Sequence, residues 1–119
     1  MIQTFLLIIV ISLVVSRFLP VRGVKQVDAA DVKSNLNNAQ QLIDVRSPEE
    51  FQISHLKGFQ NIPLSHINEQ AHQLKKNEEV YVMCQSGMRS MQAAKILKKQ
   101  GFTHITNIKG GMNAWRSRD

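Results

Sequence analysis

The chain has 119 residues, a formal net charge of +6 and 43% hydrophobic residues, which bounds it to one domain with a modest core. Its single cysteine excludes an intramolecular disulfide framework and fits a reducing compartment, where a free thiol survives. The positive charge does not by itself indicate nucleic acid: the basic residues are scattered, in pairs such as Lys75–Lys76 and Lys98–Lys99, and with 6% aromatic residues there is no evident stacking platform. A solvated face that also concentrates small anions is the expected meaning.

Residues 2–19 contain the run FLLIIVISLVV, with no charge before Arg17. A membrane-spanning helix needs about 20 apolar residues, within a range of about 17 to 25, so this segment lies at the short end. Three readings compete. A signal peptide should carry a positive n-region, absent here, and a small-residue cleavage site, of which Val14, Val15, Ser16 is a poor version. A buried helix should show a polar stripe toward solvent, and none is present. The expectation is therefore a single-pass anchor. Arg17, Arg22 and Lys25 all precede the first acidic residue, Asp28, so the positive-inside rule places the C-terminal domain in the cytoplasm. Pro20 and Gly23 mark a short joint, giving an anchor and joint over 1–22 and a globular domain over 23–119.

Lys25 to Val27 reads as a short strand, and Asp28 as the N-cap of a helix over AADVKSNL that ends near Asn37 and Asn38. Gln41 to Val45 is a second strand. In the following DVRSPEEF, Ser47 and Glu50 have capping-box spacing and Pro48 falls at the first helical position. Helix initiation explains those three residues without any function. Asp44 and Arg46 stand at the C-terminal end of a predicted parallel strand, the edge where open α/β sheets bind ligands. Arg46 suits planar bidentate pairing, to Glu50 in the plainest reading, and Asp44 serves equally as a turn cap or as part of a site. Gly58 supplies a turn before a third short strand that Pro63 stops. Ile67 to Leu74 is a weakly amphipathic helix and Lys75 to Asn77 a polar turn.

The stretch Glu79 to Lys99, EVYVMCQSGMRSMQAAKILKK, is the densest signal. An apolar strand (Val80, Tyr81, Val82, Met83) leads to Cys84. The loop Gln85, Ser86, Gly87, Met88, Arg89 follows, and then a helix from Ser90 with Met91, Ala94, Ile96 and Leu97 at core-facing spacings. Strand, loop and helix in this order aim backbone N–H groups and the positive end of a helix dipole at one point beside Cys84, a field that favours a thiolate. A lone cysteine at a strand end is more often an inert core residue. The loop shifts that balance, because Gly87 permits a positive φ, Ser86 and Ser90 offer hydroxyls, and Arg89 is a permanent cation. Gly101 ends the helix, Thr103 to Ile108 is a last strand, and Lys109, Gly110, Gly111 turn into a terminal helix with Met112 and Trp115. Alternating strands and helices predict an α/β fold with a parallel sheet and helices on both faces. His55 reads as a structural histidine, and His66, His72 and His104 share no ligand spacing with Cys84 or with one another, so no metal and no other cofactor is expected.

CQSGMRS resembles the active-site loop of the rhodanese family, single-domain sulfurtransferases in which a Gly and an Arg follow the catalytic Cys at these positions. The likeness extends from about Val24 to Arg116: Asp44, Val45 and Arg46 match the DVR element, ISHLKGFQNIP is similar to GHIxGAxNIP, and GGMNAW to the GGxxAW ending. Ser54 stands where the family commonly has Gly and Phe59 where it often has Ala, departures that leave open the wall of the cleft near His55. The resemblance implies a rhodanese-like fold and a ping-pong sulfur transfer through a Cys84 persulfide, from a small anionic donor such as thiosulfate to a thiol or cyanide. The amides of Gln85, Ser86, Gly87, Met88 and Arg89 would hold the anionic persulfide, with Asp44 and Arg46 in support. Arg89 would either stabilise the anionic donor or brace the loop. A membrane-tethered persulfide carrier or interaction module, delivering sulfur to a protein acceptor, is the alternative. Phosphatase or arsenate reductase chemistry ranks below both, since phosphatases similar to the Cdc25 type place five residues between Cys and Arg and this loop has four.

Overall fold

A computed structural model describes residues 1–18, 22–35 and 41–116. Helix α1 (Ile2–Phe18) precedes strand β1 (Val24–Asp28) and helix α2 (Ala29–Asn35). Strand β2 (Gln41–Asp44), helix α3 (Pro48–Ile53) and the two-residue strand β3 (Gln60–Asn61) follow. Helix α4 (Leu64–Gln70) runs on into a 3-10 turn at Ala71–Gln73. The chain closes with β4 (Val80–Met83), α5 (Met88–Lys99), β5 (Ile105–Lys109) and α6 (Gly111–Arg116). Pro20, Asn37 and Asn38, read from the sequence as a joint and a helix end, lie outside the described residues.

The five strands form one parallel sheet in the order β1-β5-β4-β2-β3. Period-two alternation sends successive side chains to opposite faces. Val80, Val82 and Cys84 join Ile43, Val45 and Ile105 in a core closed by Ile67 of α4 and by Ala93, Ala94 and Leu97 of α5. Tyr81, Met83, Leu42 and Ile108 face the other way, against Ala29 and Val32 of α2 and Met112 and Trp115 of α6. Burial on both faces is why β4 reads as an unbroken apolar run. The expected α/β sheet with helices on both faces is the one observed. Phe59 packs in the second core, edge-on to Trp115 with ring centroids 6.1 Å apart.

Element boundaries differ where a backbone residue decides them. Helix α4 begins at Leu64 rather than Ile67, because Pro63, its N-cap, has a fixed φ and no N–H to satisfy. Helix α5 begins at Met88, two residues before Ser90, because Gly87 makes the turn in the left-handed region. Lys109 belongs to β5, in register with Asp28, so the final turn starts at Gly110.

Helix α1 occupies the segment read as an anchor over residues 2–19, and its length does not by itself support a membrane span. It has 17 residues, about 25 Å at 1.5 Å per residue against a hydrocarbon layer of about 30 Å. Among the described residues, no helix is long and apolar enough to cross a membrane. Its apolar side chains, Phe5, Leu6, Ile8 and Ile11 among them, are exposed.

Candidate active site

Cys84 follows β4 directly and is fully buried. Gly87 adopts φ 102°, ψ −8° as the N-cap of α5, and a Cβ there would stand 3.3 Å from the Gly110 nitrogen. Glycine is therefore favoured by its φ, and a side chain there would also press tightly on the Gly110 backbone. This turn aims the Gly87 N–H back at Cys84 Sγ, at 2.9 Å. Ser90, in the first turn of α5, places its Oγ 3.4 Å from the same sulfur. The sulfur thus lies at the N-terminal end of a 12-residue helix, where free amides and the helix dipole favour an anion.

The opposite side of the loop is tied down by α6. The Met112 and Asn113 amides donate to the carbonyls of Cys84 and Gln85 at 2.8 and 3.0 Å, and Gln85 Nε2 donates to Asn113 Oδ1 at 2.6 Å. Gly111 has φ 56°, and a Cβ there would fall 2.2 Å from the Cys84 carbonyl oxygen. The two glycines of GGMNAW therefore do more than turn the chain. They let α6 approach until its amides bind the loop carbonyls.

Arg89 donates through Nη1 and Nη2 to the two carboxylate oxygens of Glu50, at 2.6 and 3.0 Å. In this structure it braces the loop across to α3, the second of its two expected roles. Glu50 also completes the capping box, its Oε1 accepting from the backbone N–H and hydroxyl of Ser47 at 3.1 and 3.0 Å. The Arg89 hydrogen bonds, aided by those from Ser47 and opposed by partial burial, hold the Glu50 carboxyl at a pKa of about 2. The same pair raises the Arg89 pKa. One carboxylate thus starts a helix and anchors the candidate site.

Asp44 and Arg46 form a buried pair. Arg46 donates from Nε and Nη2 to the Asp44 carboxylate, the shortest bond 2.9 Å, and its backbone N–H donates to Oδ1 at 3.0 Å. Arg46 Nη2 also holds the Ser54 carbonyl at 2.7 Å, and Nη1 reaches Gln85 Oε1 at 3.3 Å. Arg46 thus pairs with Asp44 and not with Glu50, as the bidentate geometry of guanidinium and carboxylate favours when both are desolvated.

Two shallow depressions flank the loop. One of about 380 Å³ is bordered by Gln26, Ser86, Gly87, Met88 and Asn107, among others. The other, of about 300 Å³, lies beside Arg89 and is lined also by Val45, Ser47, Pro63, Leu64 and Ser65. The four histidines are exposed, His55 stacked on Phe51 with Nδ1 2.9 Å from the Phe51 carbonyl oxygen. Among the described residues no cluster of His, Cys, Asp or Glu has the makings of a metal site.

The Rhodanese-like domain family matches residues 28–118. The chain belongs to the rhodanese-like family. Thiosulfate sulfurtransferase PspE of Escherichia coli strain K12 is 42% identical over 74 residues, covering 60% of this chain and 71% of that protein. The uncharacterized protein YqhL of Bacillus subtilis strain 168 is 45% identical over 75 residues, and the putative sulfur carrier protein YrkF of the same organism is 36% identical over 91. These alignments take in 63% and 76% of this chain but only 60% and 49% of the respective relatives' lengths. Among solved structures, the human single-domain sulfurtransferase TSTD1 superposes with a TM-score of 0.72 at 28% identity, over 79% of this chain and 96% of that one. A rhodanese-related protein of Thermoplasma volcanium gives a TM-score of 0.72 at 30% identity, over 79% and 92% of the two chains.

Within the rhodanese-like loop, Cys84 to Arg89 come together because they are contiguous, and Asp44 and Arg46 reach them through Gln85. Sequence reasoning missed Glu50 as the partner of Arg89, because its capping role already accounted for it. It also missed Asn107, whose Oδ1 accepts from the Ser90 hydroxyl, and the part that Gly111, Met112 and Asn113 play in holding the loop. The polar pair Thr106 and Asn107 between Ile105 and Ile108 was the available signal for Asn107.

Proposed function

We propose that this protein is a sulfurtransferase that moves a sulfane sulfur from a small anionic donor such as thiosulfate to a thiol acceptor through a persulfide on Cys84. The observation that carries the reading is the Cys84 sulfur held 2.9 Å from the Gly87 amide at the N-terminus of α5. In the first half-reaction the Cys84 thiolate attacks the outer sulfur of thiosulfate. A new S–S bond forms at Sγ, the S–S bond of thiosulfate breaks, and its electron pair leaves with sulfite. In the second half-reaction an acceptor thiolate, or cyanide in the test tube, takes the outer sulfur, and Cys84 departs as a thiolate. The Gly87 amide and the helix dipole stabilise the sulfur anion present at the start and end of each cycle. Arg89, held by Glu50, keeps the loop in register and adds positive charge beside it. The relative named thiosulfate sulfurtransferase supports the choice of donor.

Intact mass spectrometry of the 119-residue chain after incubation with thiosulfate tests this. Wild type gains one reducible sulfur atom and Cys84→Ser gains none. A folded, reduced wild type that takes up no sulfur from thiosulfate or other sulfane donors sinks the proposal.

A carrier that hands its persulfide to a protein acceptor is the second reading. It is favoured by the relative named as a sulfur carrier and by the exposed Met88, 46% accessible on the loop itself. Sustained turnover with small thiols argues against it. The proposal also places the domain at the cytoplasmic face of a membrane, on the strength of the uncharged segment before Arg17 and the cations that follow. Labelling of Cys84 in intact, sealed cells by a reagent that cannot cross membranes would contradict that placement.

A further inference from the structure

Asn107 lies in β5, 2% exposed, in register with Gln26 of β1. Its Oδ1 accepts from the Ser90 hydroxyl, and its Nδ2 donates to Gln26 Oε1 at 2.9 Å. Ser90 Oγ is in turn 3.4 Å from Cys84 Sγ. A line of four side chains, Gln26, Asn107, Ser90 and Cys84, therefore runs from the edge strand to the candidate nucleophile.

Both ends of this line are out of balance. At the far end, Gln26 Nε2 is buried with no partner among the described residues, and buried orphan donors are rarer than under-satisfied carbonyls. At the near end, Ser90 has one proton to give, and its acceptors are Asn107 Oδ1 and the Gly87 carbonyl, the latter at 3.1 Å. The Ser90 oxygen then offers Cys84 only a lone pair. That suits a thiol, whose S–H can donate to it, and opposes a thiolate.

Half-turns of the two side-chain amides, each exchanging its nitrogen and oxygen, reverse every polarity along the line with no other heavy atom moving. Gln26 Nε2 then donates to Asn107 Oδ1, Asn107 Nδ2 donates to the Ser90 oxygen, and the Ser90 proton, no longer taken by Asn107, can turn from the Gly87 carbonyl to the sulfur. The vacated orphan position falls to the Gln26 carbonyl. A donor bonded in this way is also polarised by the bond it receives.

We propose that Asn107, oriented by Gln26, is a positioning residue for Cys84: reversal of the amide pair turns the Ser90 hydroxyl from acceptor to donor and stabilises the thiolate whenever the sulfur carries no cargo. The inference rests on Cys84 being the nucleophile of the proposed reaction.

The chain's single cysteine allows the thiolate to be followed by its ultraviolet absorbance against pH, with no sulfur donor present. Ser90→Ala, which removes the donor itself, raises the midpoint by about one pH unit, the equivalent of one hydrogen bond to a charged group. Asn107→Leu, which removes only the amide that orients and polarises that donor, raises it by a smaller amount. The double variant matches Ser90→Ala alone, because Asn107 acts only through that hydroxyl. Arg89 with Glu50, Asp44 with Arg46, and Lys109, which borders the depression beside Gly87 and Asn107, are charged groups around the loop, and all the variants leave them in place. A midpoint in Asn107→Leu that stays put or falls overturns the proposal, as does a shift that persists undiminished in the Ser90→Ala background. Should Asn107→Leu fail to fold, Gln26→Leu on the edge strand gives the same readout: its midpoint rises, and an unchanged one overturns the idea. Failure of sulfur transfer with these shifts intact would refute the proposed reaction and leave the hydrogen-bond line standing.

Discussion

Replacing Glu50 with Gln isolates the brace between α3 and the candidate active-site loop. Gln retains a side-chain carbonyl for the Ser47 cap but removes the charge that holds Arg89 by two bonds. The Glu50 carboxyl lies at about 2 against an ordinary 4.5, which unscreened corresponds to about 3 kcal/mol. The Arg89 and Glu50 side chains are 38% and 35% exposed, so solvent screening reduces the contribution to about 1 kcal/mol. Because the folded-state pKa is depressed, that stability is fully present above about 4.5 and is lost as pH falls toward about 2. Urea unfolding should therefore show Glu50→Gln about 1 kcal/mol less stable than wild type at pH 7, with the gap closing between these two pKa values. A double-mutant cycle with Arg89→Gln should return a coupling of about the same size. Equal stabilities at pH 7, or a gap of constant size down to the acid limit, would show that the pair does not hold the loop.

Gly111→Ala should be the most damaging small change near the loop. Its Cβ would fall 2.2 Å from the Cys84 carbonyl oxygen at φ 56°, so α6 must withdraw. Uptake of sulfur from thiosulfate should drop by more than tenfold, and thermal unfolding should fall by several degrees, an effect of order 2 kcal/mol. Unaltered sulfur uptake would mean that the α6 amides do not set the loop. Asp44→Asn leaves the Arg46 guanidinium buried without its counter-charge, at a cost of about 3 to 5 kcal/mol. Chemical denaturation checks this, and a loss below about 1 kcal/mol would show that Ser54 and Gln85 suffice to hold Arg46.

What could be read from the sequence was what neighbouring residues decide among themselves. Ser47, Pro48 and Glu50 announce a helix start because the capping box closes over three residues, and the structure contains it. The apolar run of β4, the left-handed Gly87 and the contiguous loop from Cys84 to Arg89 were legible for the same reason. Each is set by backbone sterics or by bonds within one turn of chain. The pairing of Asp44 with Arg46 was within reach, two residues apart, although the plainest reading paired Arg46 with Glu50.

The tertiary structure decided what chain distance conceals. The strand order places β5 between β1 and β4, and only that order sets Asn107 beside Gln26 and under Ser90. Glu50 meets Arg89 across 39 positions of sequence, and the Met112 amide meets the Cys84 carbonyl only because Gly111 lets two backbones touch. A hydrogen bond has no sequence period when its partners lie on different elements. Its donor and acceptor are chosen by the packing of helices on a sheet, and that choice exists only once the hydrophobic faces have closed.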